Sequence, residues 1–215
     1  TTSWENISKQ IYSSPSFGAE LKKTNYYKAD LQNILEDAKT DQQKLFSIFQ
    51  FVKSKVKWNG FYGTFADKGV KFAYKENAGN VAEINLILTS MLRSAGLNAN
   101  PVLVSSRGNG LPLFPTIKGF DYVISMVTFP DNTYALLDAT EPYSLPNVLP
   151  ARSLNWNGML VSEGGISSWV KLTASKHAKA ENIIMVKLTE DLEVKGLLRT
   201  KYQNLRALSF RRNYN

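Results

Sequence analysis

The 215-residue sequence predicts an α+β fold, with a helix bundle packed on an antiparallel β-sheet and a short β extension at the C-terminal end. Three observations predict it. Apolar residues recur at helical spacing through the first 96 positions. From residue 97 the period changes to two, as in half-buried strands. Turn residues, above all Pro130-Asp131-Asn132, then separate short apolar runs in the manner of hairpins. Helices followed by strands, rather than alternating with them, mark an α+β arrangement.

The organising stretch is Lys75 to Gly96, KENAGNVAEINLILTSMLRSAG. Gly79-Asn80 is a tight start for a helix whose apolar face holds Val81, Ile84, Leu88, Met91, Leu92 and Ala95. Leu86 and Ile87 widen that face, so the helix should be buried nearly all round. Gly96 follows as a left-handed stop. Asn85 is a polar group in an apolar helix and needs hydrogen-bond partners if buried. Glu83 places a favourable charge in the first turn.

The other helices follow from caps and stripes. Thr2 and Glu5 have capping-box spacing, and Trp4, Ile7 and Ile11 would share one face before Pro15. A helix over 28–39 would bury Leu31, Ile34, Leu35 and Ala38. Thr40 and Gln43 form a second capping box. After it, Leu45, Ile48, Phe49, Val52 and Val56 make an i, i+3, i+4 stripe, with the lysines at 44, 53, 55 and 57 largely off it. Residues 60–78 read as an aromatic, irregular connection, often a functional feature at such length. Its aromatics serve equally well as packing onto the core.

Beyond the central helix, strands are expected over 101–105, 121–129 and 133–139, with shorter ones at 159–161 and 169–172. Tyr122, Ile124 and Met126 share one face, and Asp121 and Val123 the other. The proline-punctuated stretch 142–150 should be pinned to the core by Leu145 and Leu149. Residues 174–181 read as a polar linker. Strands over 183–188 and 192–198, and a third near 202–210, then follow as a separate β unit or as additions to the main sheet.

Composition excludes several chemistries. The chain has no cysteine, so it holds no disulfide, thiolate nucleophile or Cys-ligated metal. A single histidine, His177, rules out a His-rich metal site and reads as a surface residue in a lysine-rich segment. Neither a metal nor a cofactor is expected. No apolar run reaches the ~18–20 residues needed to cross a bilayer, and the first residues have no signal-peptide pattern. The net charge is +8, and residues 171–215, with ten Lys or Arg against four Asp or Glu, carry six of those charges. With no nucleic-acid motif beside it, this basic end reads as a solvated surface, and no nucleic-acid partner is expected.

Three segments together carry a resemblance: Gly79-Asn80-Val81-Ala82-Glu83-Ile84-Asn85 at a helix start, Phe120-Asp121-Tyr122-Val123-Ile124 at a strand start, and Leu136-Leu137-Asp138-Ala139-Thr140 at a strand end. Over residues 40–172 the chain resembles the transglutaminase-like superfamily, bacterial envelope type, whose core is papain-like. The family's signature places a cysteine, a histidine and an aspartate at these positions. Here they carry Val81, Tyr122 and Asp138, so the triad is degenerate. A thiolate would attack an amide carbonyl, an imidazole would activate it and the aspartate would orient that imidazole. Valine offers no nucleophile, and tyrosine, with an ordinary pKa near 10, is a poor base at neutral pH.

The resemblance implies a transglutaminase-like domain over 1–175 and a C-terminal β extension over 176–215, as a piece of a larger periplasmic or extracellular protein with flanking β domains. It implies a non-enzymatic structural or binding module. Its cleft, lined by Trp58, Val81, Tyr122 and Asp138, would take an extended peptide or a glycan. The alternative is a hydrolase or transferase using a non-cysteine mechanism in the same cleft, with Glu83 and Asp138 as its carboxylates. Asp121, on the opposite face from Tyr122, is not expected to join them. Asp138 also has a plain structural use, accepting hydrogen bonds from Tyr122, Thr140 or backbone amides.

Overall fold

A computed structural model describes residues 3–174 and 176–214. The fold is α+β, with seven helices among the described residues and a curled antiparallel five-stranded sheet. Helix α1 (Trp4–Ser13) buries Ile7 and Ile11. Its cap is Ser3, whose hydroxyl accepts from the Asn6 backbone N–H at 3.2 Å. The expected cap, Thr2, lies outside the described residues. A single turn, α2 (Gly18–Leu21), leads to α3 (Lys28–Leu35), four residues shorter than expected. The cause is the next capping box: Gln43 Oε1 accepts from the backbone N–H groups of Lys39 and Thr40, both at 2.9 Å, which diverts Lys39 from the helix.

Helix α4 (Asp41–Lys55) starts at the predicted Thr40–Gln43 box and buries its predicted stripe. Lys53 departs from expectation, being only 5% exposed. A two-residue strand, β1 (Lys57–Trp58), then pairs in parallel with β2 (Ala78–Gly79). Between them the expected irregular stretch contains a helix, α5 (Val70–Glu76), entered at Gly69 and left at Asn77, both with positive φ. Val70, Ala73 and Tyr74, at i, i+3 and i+4, are its buried stripe.

Helix α6 (Val81–Ser94) has twelve of its fourteen residues buried and is followed by Gly96 at φ 85°. It packs on β3 (Asn98–Val104) and β4 (Tyr122–Thr128). The sheet continues through β5 (Tyr134–Leu137), β6 (Asn157–Val161) and β7 (Ser167–Lys171), in the order β5-β4-β3-β6-β7, every pair antiparallel. The pleat sorts side chains into two cores. Leu103, Val123, Val127 and Leu137 join the helices, whereas Val102, Val104, Tyr122, Ile124 and Leu136 join Val81, Leu149 and Leu154. Leu149 is pinned as expected, but Leu145 is 40% exposed. Leu145 pairs with Val148 across a turn holding Asn147 at φ 62°, which leaves it on the outside.

The C-terminal strands, β8 (Lys179–Leu188) and β9 (Val194–Gln203), pair only with each other among the described residues and do not join the main sheet. The expected third strand near 202–210 is instead helix α7 (Leu205–Tyr214). Phe210 and Tyr214, at i and i+4, meet at 4.7 Å between ring centres, and Tyr202 of β9 packs 4.8 Å from Phe210. Ala207 and Leu208 are its buried residues.

Candidate functional site

The start of α6 is built by side chains closing on backbone. Asn80 Oδ1 accepts from the Glu83 N–H, and Glu83 Oε2 accepts from the Asn80 N–H, both at 2.8 Å, a reciprocal capping box. The other Glu83 oxygen accepts from Lys68 and Gly69 N–H at 2.7 and 2.8 Å. Glu83 therefore ties the 60–78 segment to the helix as well as supplying charge to the first turn. Gly79 is required sterically, since a Cβ there would lie 2.9 Å from the Ala73 Cβ and 3.0 Å from Glu83 Oε2. The helix thus opens on Val81, whose N–H donates to Phe61 O at 3.2 Å and whose side chain is fully buried in the second core with Tyr122.

Tyr122 and Asp138 are also fully buried, and they touch: the Tyr122 hydroxyl donates to Asp138 Oδ2 at 2.8 Å. Thr140 Oγ1 donates to Asp138 Oδ1 at 2.6 Å and lies 2.8 Å from the Tyr122 oxygen. Both hydroxyl protons therefore point at one carboxylate. The hydroxyl oxygens are in turn served by Arg152, whose Nε donates to Tyr122 at 2.9 Å and Nη2 to Thr140 at 2.8 Å. Asp138 Oδ1 also accepts from the Thr140 N–H at 3.0 Å and Asn85 Nδ2 at 3.3 Å. Asn85 finds the partners its place demands: its amide also donates to Val123 O at 2.9 Å, and its carbonyl accepts from the Ala139 N–H at 3.0 Å.

Arg152 also pairs with buried Glu141 at 3.3 Å and lies over the indole of half-buried Trp58, 4.5 Å from the ring centre. Tyr62, largely exposed, packs 5.6 Å from Trp58 and 5.4 Å from Tyr122, so the solvent side of the cluster is aromatic. Beneath it, the Lys53 ammonium donates to Ser144 O at 2.8 Å. Burial lowers the Lys53 pKa to about 8, with the Glu141 charge opposing that shift. Burial, and then the Asp138 charge, raise the Tyr122 phenol well above the ordinary tyrosine value, against the pull of Arg152 and Thr140. Tyr122 thus keeps its proton across the neutral range.

The structure brings Tyr122 and Asp138 into direct contact, packs Val81 in the same core, and joins Trp58 to them through Arg152 and Tyr62. Asp121 is held elsewhere, accepting from Ser106 N and Oγ at 2.6 Å each. His177 is exposed. Sequence reasoning missed Arg152, Glu141 and Lys53. Glu141 directly follows the Asp138-Ala139-Thr140 run, which was a usable signal; Arg152 stands alone in an irregular segment and had none. The cluster contains no thiol or imidazole. Among the described residues, no group of His, Cys, Asp and Glu side chains is arranged to hold a metal ion, and no helix is long and apolar enough to cross a membrane. A cavity of about 880 Å³ lies apart from the cluster, between the start of α4 and β5, beside Phe46 and Tyr134.

No known protein family's profile matches the chain, and no curated protein sequence matches it. A solved structure is similar: the crystal structure of "a putative protease from Parabacteroides distasonis", with a TM-score of 0.55 and 14% identity. The match covers 79% of this chain and 31% of that one. The likeness is one of fold, and this chain spans about 31% of the length of that protein.

Proposed function

We propose that this chain is a catalytically inactive transglutaminase-like domain, acting as a structural or peptide- or glycan-binding module within a larger bacterial envelope protein, periplasmic or extracellular. The observation that carries the reading is the closed hydrogen-bond set of Tyr122. Its proton is committed to Asp138, its oxygen to Arg152, and the helix start opposite presents the hydrocarbon of Val81. A cysteine mechanism needs a thiolate at the helix and a free base beside it; neither residue type stands here. The carboxylate alternative finds no support in the geometry. Glu83 serves three backbone N–H groups, and Asp138 serves two hydroxyls, an amide and a backbone N–H.

In this reading residues 1–175 are the domain and 176–215 an extension towards a further β domain. Trp58, Val81, Tyr122 and Asp138 mark the former cleft. Three of the four are buried, so a bound peptide or glycan would meet Trp58, Tyr62 and Arg152 rather than the triad positions. The test is incubation of the purified chain with a glutamine-containing peptide and a labelled amine, and separately with unfolded casein. Neither amine incorporation nor cleavage is expected. Turnover by the native chain that Tyr122→Phe abolishes would overturn the reading.

A further inference from the structure

A second surface, lined by none of the triad positions, carries the charge that the Tyr122 cluster does not use. Three adjoining hollows share Leu154 as a common wall and also share Leu149, Thr173, Ala174 and Leu205 pairwise. We take the three, which lie side by side between the sheet and the start of α7, as one groove, narrowest at the hollow beside Lys176, of only about 10 Å³. Its two open parts have volumes of about 540 and 290 Å³, within the roughly 300–1,000 Å³ of small-ligand sites when joined. The charged residues lining it are Arg107, Lys171 and Lys176, and no described Asp or Glu lines it. None of the three cations has an ion-pair partner among the described residues.

The wide end of the groove is a built feature. Arg107 Nε donates to Leu154 O at 2.8 Å and its backbone N–H to Arg152 O at 3.1 Å, which ties the guanidinium of this exposed residue to the wall. Next to it, Trp156 is 49% exposed and holds φ at 55°, a left-handed conformation that a bulky side chain adopts at a cost. Neighbours hold it there: the Leu172 N–H donates to Trp156 O at 2.9 Å, and Asn155 Nδ2 donates to Gly110 O at 2.8 Å. The indole is thereby turned to the groove, and the Trp169 ring, 5.8 Å away, supports its side. At the far end stands the exposed ring of Tyr134.

We infer that this groove binds an acidic oligosaccharide, one whose sugar rings carry carboxylates. The planar Arg107 fork matches a carboxylate, two N–H groups to two oxygens. The C–H face of a sugar ring packs on the indole of Trp156 and on half-buried Leu205 beside it. A single-stranded nucleic acid would stack successive bases on successive rings, and the leucine-lined middle gives a base no ring. A peptide added as a strand needs free backbone groups. Here the Leu172 N–H is taken by Trp156, and β5 is engaged at Leu136 by Asn147, N–H to Oδ1 at 2.8 Å and O to N–H at 2.9 Å.

The probes are hexagalacturonate, the same hexasaccharide fully methyl-esterified, and hexathymidylate, titrated into the chain at low ionic strength with tryptophan fluorescence and calorimetry as readouts. Saturable binding of hexagalacturonate is expected, weakened about tenfold or more by esterification, since a charge-assisted hydrogen bond is lost. Arg107→Ala and Trp156→Ala should each weaken it about tenfold, and Arg107→Lys, which keeps the charge and loses the fork, by less. The ester comparison uses the native protein, so it stands even where a variant misfolds. Absence of saturable binding, equal affinity for acid and ester, or tighter binding of hexathymidylate would each overturn the assignment.

Discussion

The Tyr122 cluster and the β8–β9 hairpin solve opposite problems. At Tyr122, polar and charged groups are taken out of water and matched to one another: Tyr122, Thr140, Asn85 and Asp138 exchange protons and lone pairs inside the fold, and Arg152 faces Glu141. Along the hairpin, apolar groups are left in water. Its register puts Ile184 opposite Leu198 and Leu188 opposite Val194 on one face with Val186, and all five are more than 60% exposed. The ten-residue ladder is complete, yet no described element covers that face. Backbone pairing therefore sets the geometry of the hairpin, while burial sets the stability of the cluster. A substitution should be felt strongly in the first region and weakly in the second.

The largest expected effect is at Arg152. Replacing it with alanine removes the ion-pair partner of buried Glu141 and the donor to both hydroxyls that close on Asp138, which should cost about 3–5 kcal/mol. Chemical denaturation measures this, and a loss below about 1 kcal/mol would erase the contrast. Lys53 comes next. Its pKa is lowered to about 8 in the fold against an ordinary 10.5, so between these values the unfolded chain binds more protons and stability rises with pH. The burial penalty, about 3 kcal/mol at ~1.36 kcal/mol per unit, is present in full below pH 8 and is relieved as the pH climbs towards 10.5. Lys53→Met should lack that rise; the difference between native and variant denaturation midpoints across pH 7.5 to 10.5 isolates it from the tyrosines. Parallel curves would remove Lys53 from the buried set. The smallest effect belongs to the hairpin, where Ile184→Thr should change stability by no more than about 0.5 kcal/mol. A loss near that of Arg152→Ala would mean that the exposed face is covered in solution.

Much of the frame was legible in the residues. The Thr40–Gln43 cap, the buried α6 and its glycine stop, the two faces of β4 and the hairpin over 183–198 follow from spacing within a few positions. Of the three helices that were missed, α2 is a single turn, and the other two hide for different reasons. Val70, Ala73 and Tyr74 make only two turns among glycines and aromatics. In 202–214 the helical period is carried by aromatics and arginines that also fit a strand. At the site, Tyr122 and Asp138 could be named because they sit at strand ends with a recognisable sequence frame. Arg152, thirty residues from the tyrosine it serves, belongs to no periodic element.

The sequence by itself determined the elements and their punctuation, because caps, glycine turns and apolar periods act over three or four residues. It also determined that the three positions at the head of α6 and in the strands beside it carry valine, tyrosine and aspartate. Only the tertiary structure decided what those positions do together. Closing the sheet onto α6 brings Arg152, Glu141 and Lys53 from separate segments to one buried point. There the cost of desolvating each charge is offset only by the others, and that balance exists nowhere along the chain until it folds.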